Sequence, residues 1–214
     1  MTWQECEDLF ALRPEPPVGA WFFDPFTSLD LDTWKRFGSM GRKTYEYDDR
    51  LVLRKDGGME NGGLWRVDPR GGPHAFRISF RMNMVNPYML FTLEFYSNEA
   101  ALAITWNPPT KIYIDGSGPC SMITVREYFD TDIIWTLVCF GTEISLFQDG
   151  VLLCGVHTLP PSIVFGNMRL NVETGSGPGR IRISDFAIED IGDHKFEEWK
   201  ELGAVHDHPS YDLA

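Results

Sequence analysis

A chain of 214 residues, 43% of them hydrophobic, suffices for one domain with a sizeable core. The formal net charge is −12, with 19 basic residues scattered among 31 acidic ones, which argues against a nucleic-acid partner and for a neutral or cationic one. No apolar run reaches the length of about 18 residues that a membrane helix needs, and MTWQECEDLF carries acidic residues where a secretory leader has a basic start, so no membrane contact and a cytoplasmic location are expected.

In chain order, Thr2 and Glu5 form a capping box for a short helix ending before Pro14, and RPEPPVG follows as an extended connector. From Trp21 short strands alternate with turn signals: AWFFDPF, a loop SLDLDTWKRFG, KTYEYDD, RLVLRKDGG and LWRV. AFRISFRMNM alternates most clearly, with Phe76, Ile78, Phe80, Met82 and Met84 on one face and Arg77, Ser79, Arg81 and Asn83 on the other. MLFTLEFY repeats the pattern with Thr92, Glu94 and Tyr96 outward, and ALAITW and KIYID add Leu102, Ile104, Ile112 and Ile114 to the core, leaving Lys111 and Tyr113 on the polar side.

Residues 133–157 predict three consecutive strands joined by Gly141-Thr142 and Asp149-Gly150, two tight hairpins of an antiparallel meander. In that register Cys139 faces Ile144 and Cys154 faces Ser145, placing the two cysteines on opposite faces of the sheet. No C-x-x-C spacing occurs, so free thiols are expected rather than bridges or thiolate metal sites, and Cys120 has no nearby His to activate it. MRLNVE and RIRISDFAIEDI then place Met168, Leu170, Val172, Ile181 and Ile183 inward and Arg169, Asn171, Glu173, Arg180 and Arg182 outward. TGSGPG between them reads as an exposed loop, DHKFEEWKEL as a short terminal helix and HDHPSYDLA as a polar tail.

FFDPFTSLDLDTWKRFG leading to RLVLRKDGG resembles the opening of concanavalin A-like (laminin G-like) jelly-roll domains, WTLVCFGTEISLFQDGVLLCG resembles their "W … I-x-L-F-x-D-G" hairpin, and RIRISDFAIEDI resembles their last strand. The expected fold is all-β: an antiparallel two-sheet jelly-roll sandwich over 20–192, with a helix and Pro-rich connector over 1–19 and a helix and polar tail over 193–214. The resemblance implies a sugar-related role on a concave sheet face, because lectins, laminin G-like modules, glycoside hydrolases and polysaccharide lyases share this architecture. Hydrolases of this kind carry E-x-D-x-(x)-E on one strand, and alginate-lyase-like members carry R-T-E-L-R and Q-I-H. Neither set is present, although RISFR has arginines at the positions of the first.

The residues expected to bind are Arg77, Arg81, Asn83, Glu94, Tyr96 and Tyr113, a mixed strip of donors, acceptors and ring faces across adjacent strands, with Trp106 at its rim. A solvated face with Arg81 paired to Glu94 is the bland alternative, and Trp106 has the phase of a core residue. Trp34, Trp65 and Trp135 are expected in the core. Hydrolysis on the same face would need a second carboxylate near Glu94, for which Glu173 is a candidate if its strand is adjacent. No cofactor is expected; calcium at Asp24, Asp30 and Asp32 is the one metal candidate, and His206 and His208 lie in the tail. The expected partner is an oligosaccharide or polysaccharide bound without catalysis. A glycoside hydrolase or lyase, and a structural or protein-interaction module, are the alternatives.

Overall fold

The computed structural model describes residues 20–41, 44–47, 50–56, 61–68, 75–85, 89–96, 101–108, 110–115, 121–124, 130–140, 143–158, 167–173 and 178–190. The expected helices over 1–19 and 193–214, Cys6, Cys120 and the His206/His208 pair lie outside these residues.

Two antiparallel sheets make a jelly-roll sandwich. In chain order the strands are β1 Ala20–Asp24, β2 Lys35–Phe37, β3 Thr44–Tyr47, β4 Arg50–Lys55, β5 Gly62–Val67, β6 Ala75–Met84, β7 Leu90–Tyr96 and β8 Ala101–Asn107. They continue as β9 Lys111–Asp115, β10 Ser121–Thr124, β11 Ile133–Phe140, β12 Glu143–Gln148, β13 Val151–Thr158, β14 Asn167–Glu173 and β15 Gly179–Asp190. One sheet has eight strands, β13-β12-β11-β6-β15-β4-β3 with β1 also on β15; the other has seven, β10-β9-β8-β7-β14-β5-β2.

Alternation decides which side chains fill the space between the sheets. Phe76, Ile78, Phe80, Met82 and Met84 of β6 meet Phe91, Leu93 and Phe95 of β7 and Leu102, Ile104 and Trp106 of β8, all essentially inaccessible to solvent. Aromatic rings lock the centre: Trp106 lies 5.6 Å from Phe80, 5.4 Å from Phe91 and 5.5 Å from Trp135, centroid to centroid. Trp106 therefore belongs wholly to the core and has no place at a binding rim.

The hairpin at Asp149-Gly150 forms as the sequence predicts, with both residues at positive φ, 47° and 74°, the backbone a type I′ turn needs. The Asp149 carboxylate accepts from the Ile134 backbone at 2.9 Å and ties the turn to β11. Beyond that turn the strand register slips. Gln148 pairs with Val151 and Phe147 with Leu152, but Leu146 pairs with Cys154, the bulge leaving Leu153 as the extra residue. Cys154 thus stands opposite Leu146 and not Ser145, so the register that put Cys139 and Cys154 on opposite faces does not hold.

A second bulge shapes β15. Ile181 and Ile183 point inward, the pairing with β6 shifts between Ser184 and Ala187, and after Asp185 at φ 55° the inward residues become Phe186 and Ile188. Phe186 thereby joins Phe22, Phe26 and Trp34 in an aromatic cluster at one end of the sandwich. Asp24 sits under that cluster, accepting from Trp34 Nε1 at 2.7 Å and the Phe26 backbone at 2.8 Å. Burial pushes its carboxyl above the ordinary range, and these two donors only partly offset the shift.

Candidate functional site

The expected strip is divided between two faces. β6 lies in the eight-stranded sheet, between β11 and β15, whereas β7, β8 and β9 lie in the seven-stranded one. Arg77, Arg81 and Asn83 therefore point away from Glu94, Tyr96 and Tyr113, on the far side of the molecule.

Nor are the three β6 residues an open surface. Arg77 is only 4% exposed and grips Glu189, its cross-strand partner on β15, in a two-pronged pair of 2.5 and 2.7 Å. Arg81 stands 3.9 Å from Asp185, so the expected pairing with Glu94 does not exist. Asn83 and Arg81 instead support Asp132, whose carboxylate receives Arg50 at 2.8 and 3.0 Å. Burial raises the Asp132 carboxyl, but the Arg50 hydrogen bond and charge, then the Arg81 charge and the Asn83 hydrogen bond, outweigh it and hold the group below the ordinary range.

The outer face of the seven-stranded sheet gathers a different set. Cross-strand pairing aligns Lys35, Trp65, Arg169, Glu94, Ala103 and Asp115 in one row. The next row runs Phe37, Gly63, Asn171, Thr92, Thr105, Tyr113 and Met122. Glu94 lies near the middle. Its Oε1 accepts from Asn171 Nδ2 at 3.2 Å and its Oε2 is 3.6 Å from Arg169 Nη1. Asn171 is buried and its own side-chain oxygen accepts from the Gly62 backbone at 3.2 Å, so its amide has one orientation that satisfies both neighbours. The Thr92 and Thr105 hydroxyls are 3.1 Å apart and extend the polar row toward Tyr113.

Aromatic rings flank this row. Trp65, expected in the core, points outward between buried Leu64 and Arg66 and is half-exposed. Phe37, Tyr96 and Tyr113 are also half-exposed on this face. The Arg169 guanidinium stands 4.5 Å from the Tyr96 ring centroid and 5.6 Å from that of Phe37, so the Tyr96 ring carries a cation. Among the described residues no cation stands over the Trp65 or Tyr113 ring.

Sequence patterning already pointed Arg169 and Asn171 outward; what it lacked was the pairing of β14 with β7. The same pairing sets Glu173 on the strand beside Glu94, its backbone opposite Leu90, four residues and about 13 Å along β7. Asp115 is nearer, two strands away in the Glu94 row, about 9.6 Å by inter-strand spacing, with only Ala103 between.

The calcium candidates are engaged locally. Asp24 serves Trp34 and Phe26, while Asp30 accepts from the Asp32 backbone at 2.8 Å and the Thr33 hydroxyl at 2.6 Å. Among the described residues no group of three or more His, Cys, Asp or Glu side chains could hold a metal ion.

No protein-family model matches the sequence, and no curated protein matches it. Solved structures do match in fold. A structure from work on endo-acting O-glycanases of the human gut microbiota that initiate mucin breakdown aligns at TM-score 0.62 and 16% identity, covering 81% of this chain and 100% of that one. The catalytic domain of an endo-1,3-β-glucanase (laminarinase) from Thermotoga petrophila aligns at 0.63 and 13%, covering 81% and 98%. A β-1,3-1,4-glucanase (lichenase) from a mouse hindgut metagenome aligns at 0.61 and 14%, covering 79% and 98%. The chain has the concanavalin A-like jelly-roll fold of these proteins.

Proposed function

We propose that this protein binds an oligosaccharide or polysaccharide on the outer face of its seven-stranded sheet, without cleaving it. The observation that carries the reading is the Glu94–Asn171–Thr92–Thr105 polar row with half-exposed Trp65 and Tyr113 at its two ends. Half-buried Glu94 and Thr105, backed by buried Asn171 and Thr92, suit sugar hydroxyls, and half-exposed rings suit the axial C–H patches of a pyranose. Trp65 and Tyr113 stand on strands four spacings apart, about 19 Å, a span suited to an oligosaccharide rather than a single sugar. The fold is shared with proteins described as glucanases and O-glycanases, which supports a glycan ligand and leaves its identity to experiment.

Titration with laminarin, mixed-linkage β-glucan and mucin-type glycopeptides is the test. Binding to one of these that falls about tenfold in Trp65→Ala and in Glu94→Gln is expected. No binding to any, or equal binding by parent and both variants, overturns the assignment.

A hydrolase is the second reading, favoured by the placement of Glu94 and Asp115 on either side of Ala103. Their backbone separation of about 9.6 Å lies near the 6.5–9.5 Å between carboxyl groups that inverting hydrolysis uses. New reducing ends from those glycans, lost in both Glu94→Gln and Asp115→Asn, would establish it. Turnover unchanged in either variant would remove that residue from the chemistry.

A further inference from the structure

We propose a second, anion-selective glycan site on the opposite side of the sandwich, where β4 and β15 present Arg54, Arg180 and Arg182 to solvent. Arg54 stands directly opposite Arg180, with Cα atoms about 5 Å apart, and Arg182 follows two residues along β15 on the same face. Like charges placed directly opposite on a sheet are destabilising, so this arrangement calls for a counter-charge. Among the described residues little of it is present. Asp56 accepts from Arg54 Nε at 2.7 Å, while Arg180 and Arg182 form no ion pair among the described residues. Such a cluster stands out in a chain of net charge −12.

The chemistry beside it favours an acidic sugar. Val52 pairs with Arg182 on one side and with Tyr45 on the other, so a half-buried ring lies in line with the guanidinium. Guanidinium forks bind carboxylate or sulfate in two-pronged fashion, and the ring covers the C–H face of the sugar between them. The net charge of −12 opposes a nucleic acid and an acidic polysaccharide alike, and the oligonucleotide arm of the test separates them. The ligand class that the forks and the ring fit is an extended acidic polysaccharide, carboxylated or sulfated. This site is independent of the one on the seven-stranded sheet.

The probes are polygalacturonate, chondroitin sulfate, neutral laminarin and a single-stranded oligonucleotide, measured against the parent and the double variant Arg180→Gln/Arg182→Gln. The parent is expected to bind at least one acidic glycan more tightly than the oligonucleotide, and any affinity for laminarin, which belongs to the other face, is expected to be the same in parent and double variant. The double variant, melting as the parent does, is expected to lose about tenfold or more of the acidic-glycan affinity. Should it melt earlier, Arg182→Lys, which keeps the charge without the fork, is expected to retain the parent's melting and to weaken acidic-glycan binding. No binding of either acidic glycan, an unchanged acidic-glycan affinity in a stably folded variant, or an oligonucleotide bound as tightly as the glycan overturns the proposal.

Discussion

Asn171 holds Glu94. The amide donates to Glu94 Oε1 at 3.2 Å while its oxygen takes the Gly62 N–H at the same distance, joining β14 to both β7 and β5. Substitution by Leu removes both bonds, leaving a buried backbone N–H without its acceptor, a cost of about 1–3 kcal/mol. Asn171→Asp keeps the acceptor for Gly62 but sets a carboxylate against Glu94. The Leu variant should lose stability in urea unfolding, and the Asp variant should lose glycan affinity by more than its change in stability explains. Equal glycan affinity in parent and Asp variant would show that Glu94 needs no such support.

Several levels of this fold can be read from residues alone. The Asp149-Gly150 hairpin is legible because Gly150 accepts positive φ and Asp149 tolerates it. The in-or-out assignment of β6, β7, β8 and β14 is legible because alternation is a local property. Sheet membership is not local. AFRISFRMNM and MLFTLEFY alternate alike and follow one another closely, yet the connection after Met84 crosses from one sheet to the other, which separates Arg77, Arg81 and Asn83 from Glu94. Trp65 is obscured by its size, since large rings favour cores, and by Arg66, a charged residue that shares the inward phase of Leu64. The bulges in β13 and β15 each add a residue that a strict period of two cannot register.

Arg77 and Glu189 test whether a buried ion pair on the eight-stranded sheet contributes net stability. Each is about 5% exposed, so removing one leaves the other charge buried without its partner. Arg77→Met or Glu189→Leu alone should cost about 3–5 kcal/mol, whereas the double variant should return to within about 1 kcal/mol of the parent or exceed it. Denaturant unfolding of the four proteins gives the coupling energy directly. Additive losses in the double variant would mean that the two residues act separately.

Arg50 and Asp132 carry a pH dependence of determined sign. The Asp132 carboxyl is held below its ordinary 3.8 in the folded protein, so the unfolded chain takes up the proton first as pH falls. The stabilisation is full above the ordinary value and is lost as pH drops through the folded one. Both partners are partly exposed, which limits the pair to about 0.5–1 kcal/mol at neutral pH. Asp24 has the opposite sign: its folded carboxyl is raised, so stability falls as pH rises from 3.8 through the folded value. Arg50→Met should therefore be less stable than the parent at pH 7, and the difference should shrink in acid while the Asp24 contribution remains. A difference that stays constant between pH 7 and pH 2 would separate the Arg50 effect from Asp132 ionisation.

Gly63 sets how closely β5 can approach β14 at the centre of the proposed binding face. A Cβ built there would lie 2.0 Å from the Leu170 carbonyl oxygen, a backbone atom that cannot turn aside as a side chain would. On the other side Phe37 of β2 is its cross-strand partner. Gly63→Ala must therefore push β5 away from β14, weakening the ladder that aligns Trp65 with Arg169 and Asn171 with Gly63. The expected cost is about 3 kcal/mol or more, beyond the usual range for one added methyl because backbone rather than packing has to move. A melting curve on the purified variant measures it. Where enough folded protein survives, glycan binding should fall further than in Phe37→Ala, which removes a ring from the same face without adding an atom between β5 and β14. A Gly63→Ala protein as stable as the parent would mean that the two strands can separate locally, and that the face does not depend on their close approach.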